Sequence, residues 1–116
     1  MPPREWRQRV GDIVRAVEKI GRYIDGMSLA AFLSDEKTAD AVLWNFTVVG
    51  EAARHIPAEV ELRHAEVPWH RMRGLRNVLV HEYFGVSLTT VWETATRNLP
   101  PLVPQLQRIL EEEQSS

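Results

Sequence analysis

Arg76–Asn77–Val78–Leu79–Val80–His81–Glu82–Tyr83 places a strong cation, an amide, an imidazole and a phenol within eight residues, interleaved with aliphatic side chains. A helix that only fills a core has no use for so many polar heads, because each buried one must find a partner or cost free energy. At about 100° per residue in a helix, Arg76 and Tyr83 fall about 20° apart and Asn77 and His81 about 40° apart. Arg76 and His81 stand about 140° apart on the same geometry. They serve one site only if the long Arg side chain curls round, or if another element or subunit completes a cleft. The stretch therefore points to a helix at an interface.

Outward from it, the chain reads as helices. Trp6, Val10, Ile13, Val14, Val17, Ile20 and Ile24 recur at spacings of three and four, predicting a helix over Arg4 to Asp25 with Gly26 as its terminator. Gly11 and Gly21 interrupt it at positions where another helix could approach. Ser28 caps a short segment through Leu33. Ser34 or Asp35 then opens a longer helix to about His55. Ala39, Val42, Leu43, Phe46, Val49, Gly50 and Ala53 form its inner surface, and Trp44 and Val48 widen it. Pro57 stops this helix. A turn and a short helical piece precede Pro68, which suits a first helical position. Trp69, Met72, Leu75, Leu79 and Val80 bury one side of a helix to about Tyr83 and leave Arg71 and Arg73 more exposed. Gly85 marks its exit. Leu88, Val91, Trp92 and Ala95 give a further short helix. Beyond the break at Leu99–Pro100–Pro101, the last helix carries Leu102, Val103, Leu106, Ile109 and Leu110, with 111–116 a fraying acidic tail. No convincing alternating strand is present. The expected fold class is all-α, an up-and-down helical bundle with additional short helices in a single domain over 1–116. The tryptophans are expected mainly in the core, with Trp44 and Trp92 also candidate interface anchors.

Composition narrows the function. A chain of 116 residues with 26% charged and 44% hydrophobic residues is an ordinary globular domain. No cysteine is present, which excludes disulfides and thiolate metal sites and fits the cytoplasm. No run approaches the roughly 18 apolar residues of a membrane span, so no membrane partner is expected. The net charge of -2 argues against bulk coating of nucleic acid, but Arg71, Arg73 and Arg76 stand against the single acid Glu82 over 68–83. Such a basic island suits a few phosphates of a short RNA. The histidines at 55, 64, 70 and 81 lack the spacing of common zinc motifs, and there is no Gly-rich phosphate loop with a following Lys and Ser/Thr. No metal and no cofactor are expected.

The Arg-x4-His-x-Tyr pattern at Arg76, His81 and Tyr83, followed by Phe84–Gly85–Val86, resembles the signature of the HEPN superfamily, and within it the HepT-like toxins of prokaryotic toxin–antitoxin pairs. The likeness extends to Asp40–Ala41–Val42, Gly50–Glu51–Ala52–Ala53, Ile56–Pro57, Val67–Pro68–Trp69, Gly74 through Val86, and Val91–Trp92–Glu93 with Leu99–Pro100. The resemblance implies a HEPN-type bundle and an RNase whose two motif copies meet in a homodimer cleft. It also implies a cognate minimal-nucleotidyltransferase antitoxin, able to transfer AMP to the motif tyrosine, here Tyr83.

Metal-free RNA cleavage suits these residues, since RNA carries its own nucleophile in the 2′-hydroxyl. His81, with an ordinary pKa of about 6.5, can move a proton as acid or base. Arg76 can offset charge on the phosphorane. Asn77 could hold His81 or contact phosphate, Tyr83 could bind substrate or hydrogen-bond to Arg76, and Arg73 could support binding. Glu51 has two readings: a surface pair with His55 one turn on, or packing against the motif, where it binds Arg76 or orients an active-site network. Similarity to the family's polar residue in this helix favours the second. Two other classes fit the polar cluster. One is a nonenzymatic helical partner with a protein interface or nucleotide pocket. The other is a basic-island RNA binder without turnover.

Overall fold

The computed structural model describes residues 3–77 and 87–115. The expectations placed on His81, Tyr83, Leu79, Val80 and Gly85 lie outside the described residues.

Among the described residues all regular structure is helical, in the order α1 (Pro3–Ile24), α2 (Leu29–Leu33), α3 (Glu36–Ala53), α4 (Ala58–Arg63), α5 (Trp69–Gly74), a 3-10 turn (Leu75–Asn77), α6 (Leu88–Glu93), a π turn (Thr94–Asn98) and α7 (Leu102–Ser115). The long helices α1, α3 and α7 form an up-and-down bundle in which α1 packs against both others. Short helices close its sides, with α5 and the 3-10 turn on α3 and α6 on α2.

The boundaries follow from local chemistry. Gly26 takes φ +78°, a conformation other residues rarely adopt, and Met27 N–H donates back to Ile24 O at 2.9 Å to end α1. Ser28 Oγ accepts from Ala31 N–H at 3.1 Å, and Asp35 Oδ1 accepts from Thr38 N–H at 3.0 Å, capping α2 and α3. Hydrogen bonding to the Thr38 backbone N–H holds the Asp35 carboxyl below its ordinary range. Ser87 caps α6 in the same way, accepting from Thr89 N–H at 3.1 Å.

The apolar stripe of α1 from Trp6 to Ile24 is buried throughout, and so is the inner surface of α3 from Ala39 to Ala53. Leu106 and Ile109 of α7, Phe32 of α2 and Met72 of α5 complete the core. Trp6 and Trp69 are in it, and the half-buried Trp92 packs on Phe32 with ring centroids 5.2 Å apart. Trp44 departs from the expectation of burial: it lies on the outer face of α3 and is 62% exposed. The last helix extends to Ser115, into the stretch read as a fraying tail. There Glu113 Oε2 lies 3.1 Å from His64 Nε2, and Glu113 Oε1 accepts from Arg63 Nη2 at 3.0 Å, tying α7 to the end of α4.

Candidate functional site

The end of α3 and the 3-10 turn supply the described part of the site. α3 carries small residues at Gly50, Ala52 and Ala53, and the backbone of Arg76 seats directly on Gly50. A Cβ at position 50 would overlap the Arg76 backbone nitrogen and stand 2.7 Å from Arg76 Cβ. Position 50 therefore has to be glycine for the turn to lie where it does.

The turn itself differs from the continuous helix to about Tyr83 that the sequence predicts. α5 stops at Gly74, and Leu75–Asn77 tighten to 3-10 geometry, which advances about 120° per residue. Gly74 is a poor helix former, and the seat on Gly50 holds the tighter turn. Within Leu75–Asn77, successive side chains are thus about 120° apart and not the 100° of an α-helix.

Glu51, the residue after Gly50, collects three side chains. Arg54 Nη1 donates to Glu51 Oε2 at 3.2 Å, His55 Nε2 lies 3.6 Å from Oε1, and Arg76 Nε lies 3.6 Å from Oε2. The surface pair with His55 and the contact with the motif arginine thus coexist. Burial alone would raise the Glu51 carboxyl. The hydrogen bond and charge of Arg54, the charge of Arg76 and the hydrogen bond of His55 outweigh it and hold the group below its ordinary range. Arg54 went unremarked in the sequence, although its i,i+3 spacing from Glu51 is the signal that finds it. Arg76 stays 47% exposed at the side chain, so its guanidinium can face Glu51 and solvent together. Asn77 is exposed beside it.

The basic island is not uniform. Arg73 is half-buried, and its Nη1 donates to Glu61 Oε2 on α4. Arg73 is therefore less exposed than the sequence suggests, because α4 lays Glu61 across it. Arg71 is exposed and makes no ion pair among the described residues. Among those residues no group of three or more His, Asp or Glu side chains is placed to hold a metal ion. No helix among them is long and apolar enough to cross a membrane.

On the outer face of α3, a groove of about 230 Å³ between α1 and α3 reaches Glu51 past Arg9, Asp12, Trp44 and Val48. A second groove of about 350 Å³ continues on the other side of Trp44 toward Lys19 and Tyr23. The most exposed tryptophan thus stands between two hollows on the face that carries Glu51.

The family described as Ribonuclease HepT-like matches residues 13–109. A protein of Caldanaerobacter subterraneus subsp. tengcongensis, named as an inferred RNase, is 34% identical over 101 residues, covering 87% of this chain and 90% of that protein. A "Probable ribonuclease HepT" of Thermococcus cleftensis is 32% identical over 106 residues, or 91% of this chain and 96% of that protein. An inferred RNase of Methanocaldococcus jannaschii is 30% identical over 112 residues, or 97% of this chain and 93% of that protein. No solved structure matches significantly. With the helical bundle, the seated arginine of the motif and a match across most of its length, this chain belongs to the Ribonuclease HepT-like family.

Proposed function

We propose that the protein is a metal-independent endoribonuclease toxin that works as a homodimer on RNA in the cytoplasm. The observation that carries this reading is the seat of Arg76: membership of a ribonuclease family, with the motif arginine pinned by Gly50 and faced by Glu51. Arg76 from each copy binds the scissile phosphate and offsets charge on the phosphorane. His81 of one copy takes the proton from the 2′-hydroxyl, and His81 of the other gives one to the departing 5′-oxygen. The P–O5′ bond breaks as the O2′–P bond forms, leaving a 2′,3′-cyclic phosphate and a 5′-hydroxyl. Asn77 orients His81, and Tyr83 holds substrate beside Arg76. Glu51 keeps the guanidinium aimed by an ion pair weak enough to exchange for phosphate. Trp44, two turns before Glu51 on α3, anchors the interface between copies.

Silencing falls to a cognate antitoxin of minimal-nucleotidyltransferase type. The Tyr83 phenol oxygen attacks the α-phosphorus of ATP, pyrophosphate leaves, the phenolic proton goes to solvent, and AMP remains on the ring. The added phosphate occupies the anion site of Arg76 and blocks RNA.

The test is cleavage of defined RNAs by wild type and His81→Ala, with analysis of the product ends and the intact protein mass. Loss of cleavage in a variant that keeps its fold and dimer, with cyclic-phosphate and 5′-hydroxyl ends from wild type, supports the reading. Equal cleavage by the highly purified variant overturns it.

A further inference from the structure

Next to the Arg76 turn, on the side of α5 and the π turn, lies a hollow that nothing in the proposed chemistry uses. It encloses about 240 Å³, and its walls are Met72, Leu75, Leu99 and Leu102. Met72, Leu99 and Leu102 are core residues and form the floor, and Leu75 is half-buried. The rim is polar and comes from both sides: Arg71 from α5, and Thr94 and Asn98 from the π turn. In that turn Leu99 N–H donates to Thr94 O at 3.0 Å, five residues back, where an ordinary helix would bond four back. Asn98 and Arg71 are exposed, and among the described residues Arg71 alone of the arginines at 71, 73 and 76 makes no ion pair.

We propose that this hollow is a base-binding subsite for one nucleotide of single-stranded RNA, next to the scissile phosphate held at Arg76. The proposal rests on the RNase reading and adds a second contact point to it. Ligand sites for drug-sized molecules run to roughly 300–1,000 Å³, so the space here suits one planar base and not a longer segment. Its aliphatic walls bury the faces of an unstacked base as apolar surface, in place of the aromatic stacking usual in single-strand recognition. The Asn98 amide offers both a donor and an acceptor to the base edge, which makes it the residue that discriminates between bases. Arg71 supplies the charge for the phosphate of that nucleotide. Leu75 is the chain neighbour of Arg76, so the hollow adjoins the turn that carries the motif arginine, and the phosphate at Arg76 is that of the adjoining nucleotide.

Full-length protein with ¹³C-labelled Met and Leu methyl groups is titrated with AMP, CMP, GMP and UMP, and with inorganic phosphate as control. Mononucleotides are expected to shift the Met72 and Leu75 methyls, with one base preferred, while phosphate leaves those methyls unmoved. Arg71→Gln is expected to weaken mononucleotide binding at least fivefold, and Asn98→Ala to flatten the preference among bases. Both side chains are exposed, so both variants retain the fold, which thermal melts will verify. Methyls unmoved by every mononucleotide, or moved equally by phosphate, overturn the subsite, as does unchanged affinity in Arg71→Gln. Cleavage assays on the same samples separate the two readings. Wild type that cuts RNA while the groove methyls stay still defeats the subsite alone; wild type that binds mononucleotides there while RNA survives defeats the RNase reading alone.

Discussion

Gly50 on α3 and Arg76 in the 3-10 turn are in backbone contact: a Cβ added at Gly50 would lie 3.0 Å from Arg76 Cα. Gly50→Ala sets two effects against each other. Alanine gains about 1 kcal/mol of helix propensity over glycine. The overlap is with backbone, which cannot swing aside, and such overpacking costs about 1–3 kcal/mol. The clash should win or draw in stability, and it must displace Arg76 in either case. The expected outcome is a protein at most about 2 kcal/mol less stable with RNA cleavage reduced far beyond what that loss explains. Urea unfolding and a cleavage assay on the same preparation check it. A variant that cleaves like wild type would mean that the Arg76 position does not matter.

Glu51 adds a pH signature. Its carboxyl is depressed because the Arg54 hydrogen bond and charge, with Arg76 and His55, exceed the opposing effect of burial. A depressed carboxylate keeps its charge, and with it the pairs to Arg54 and Arg76, at every pH above the ordinary Glu value of about 4.3 and loses them as pH falls through its own lower value. Carboxyl ¹³C NMR should therefore find Glu51 titrating below the ordinary glutamate value of about 4.3, and Arg54→Ala should move it back up. Between pH 5 and 8 the cleavage rate should carry no inflection from Glu51, a range given by its ordinary value of about 4.3. Titration at or above that value in wild type would show that the cluster does not form in solution.

Helix positions were legible because burial has a period: every member of the α1 stripe and of the α3 inner face is in the core. Caps at Ser28 and Asp35 and the stop at Gly26 were legible because they depend on local hydrogen bonds and one backbone angle. Contacts between elements were not. Gly11 and Gly21 have the same helical setting as Gly50, yet a Cβ at Gly11 meets only the Arg15 side chain and one at Gly21 meets nothing within 4 Å. Only the packing of α3 against the turn singles out Gly50. Likewise Arg71 and Arg73 look alike in sequence, and it is Glu61 on a neighbouring helix that occupies one of them. The switch to 3-10 geometry at Leu75–Asn77 is illegible for the same reason, since a turn held by a partner helix has no periodic signal.

Trp44 tests the assembly. A side chain 62% exposed contributes little to the fold of one copy, so Trp44→Ala should change monomer stability by no more than about 0.5 kcal/mol. As an interface anchor it should be worth about 2 kcal/mol, or about a 30-fold rise in the dimer dissociation constant. Sedimentation across a dilution series should show the variant dissociating where wild type does not, and cleavage should fall with the dimer fraction. Dissociation of wild type and variant at equal concentrations would remove Trp44 from the interface.

The C-terminal end of α7 offers a test of stability apart from the site. Glu113 is held below its ordinary range chiefly by the hydrogen bond to His64, with burial opposing and the Arg63 hydrogen bond and charge adding to it. His64 is buried, its carbonyl accepts from Trp69 Nε1 at 3.0 Å, and its ring faces Glu113, so one residue links α4, α5 and α7. Glu113→Gln removes the charge with little change of shape. It should cost about 1 kcal/mol, low for a hydrogen bond between charged groups because Arg63 is solvated, and lower Tm by roughly 3–6 °C. The sign with pH follows from the depressed carboxyl: the contribution is complete above about pH 4.3 and fades as pH falls through the lower folded-state value. Scanning calorimetry should accordingly show wild type and Glu113→Gln separated at pH 7 and converging in acid. A separation that persists undiminished where Glu113 is protonated would assign its effect to packing, and would detach the helix end from the charge network that holds it to α4.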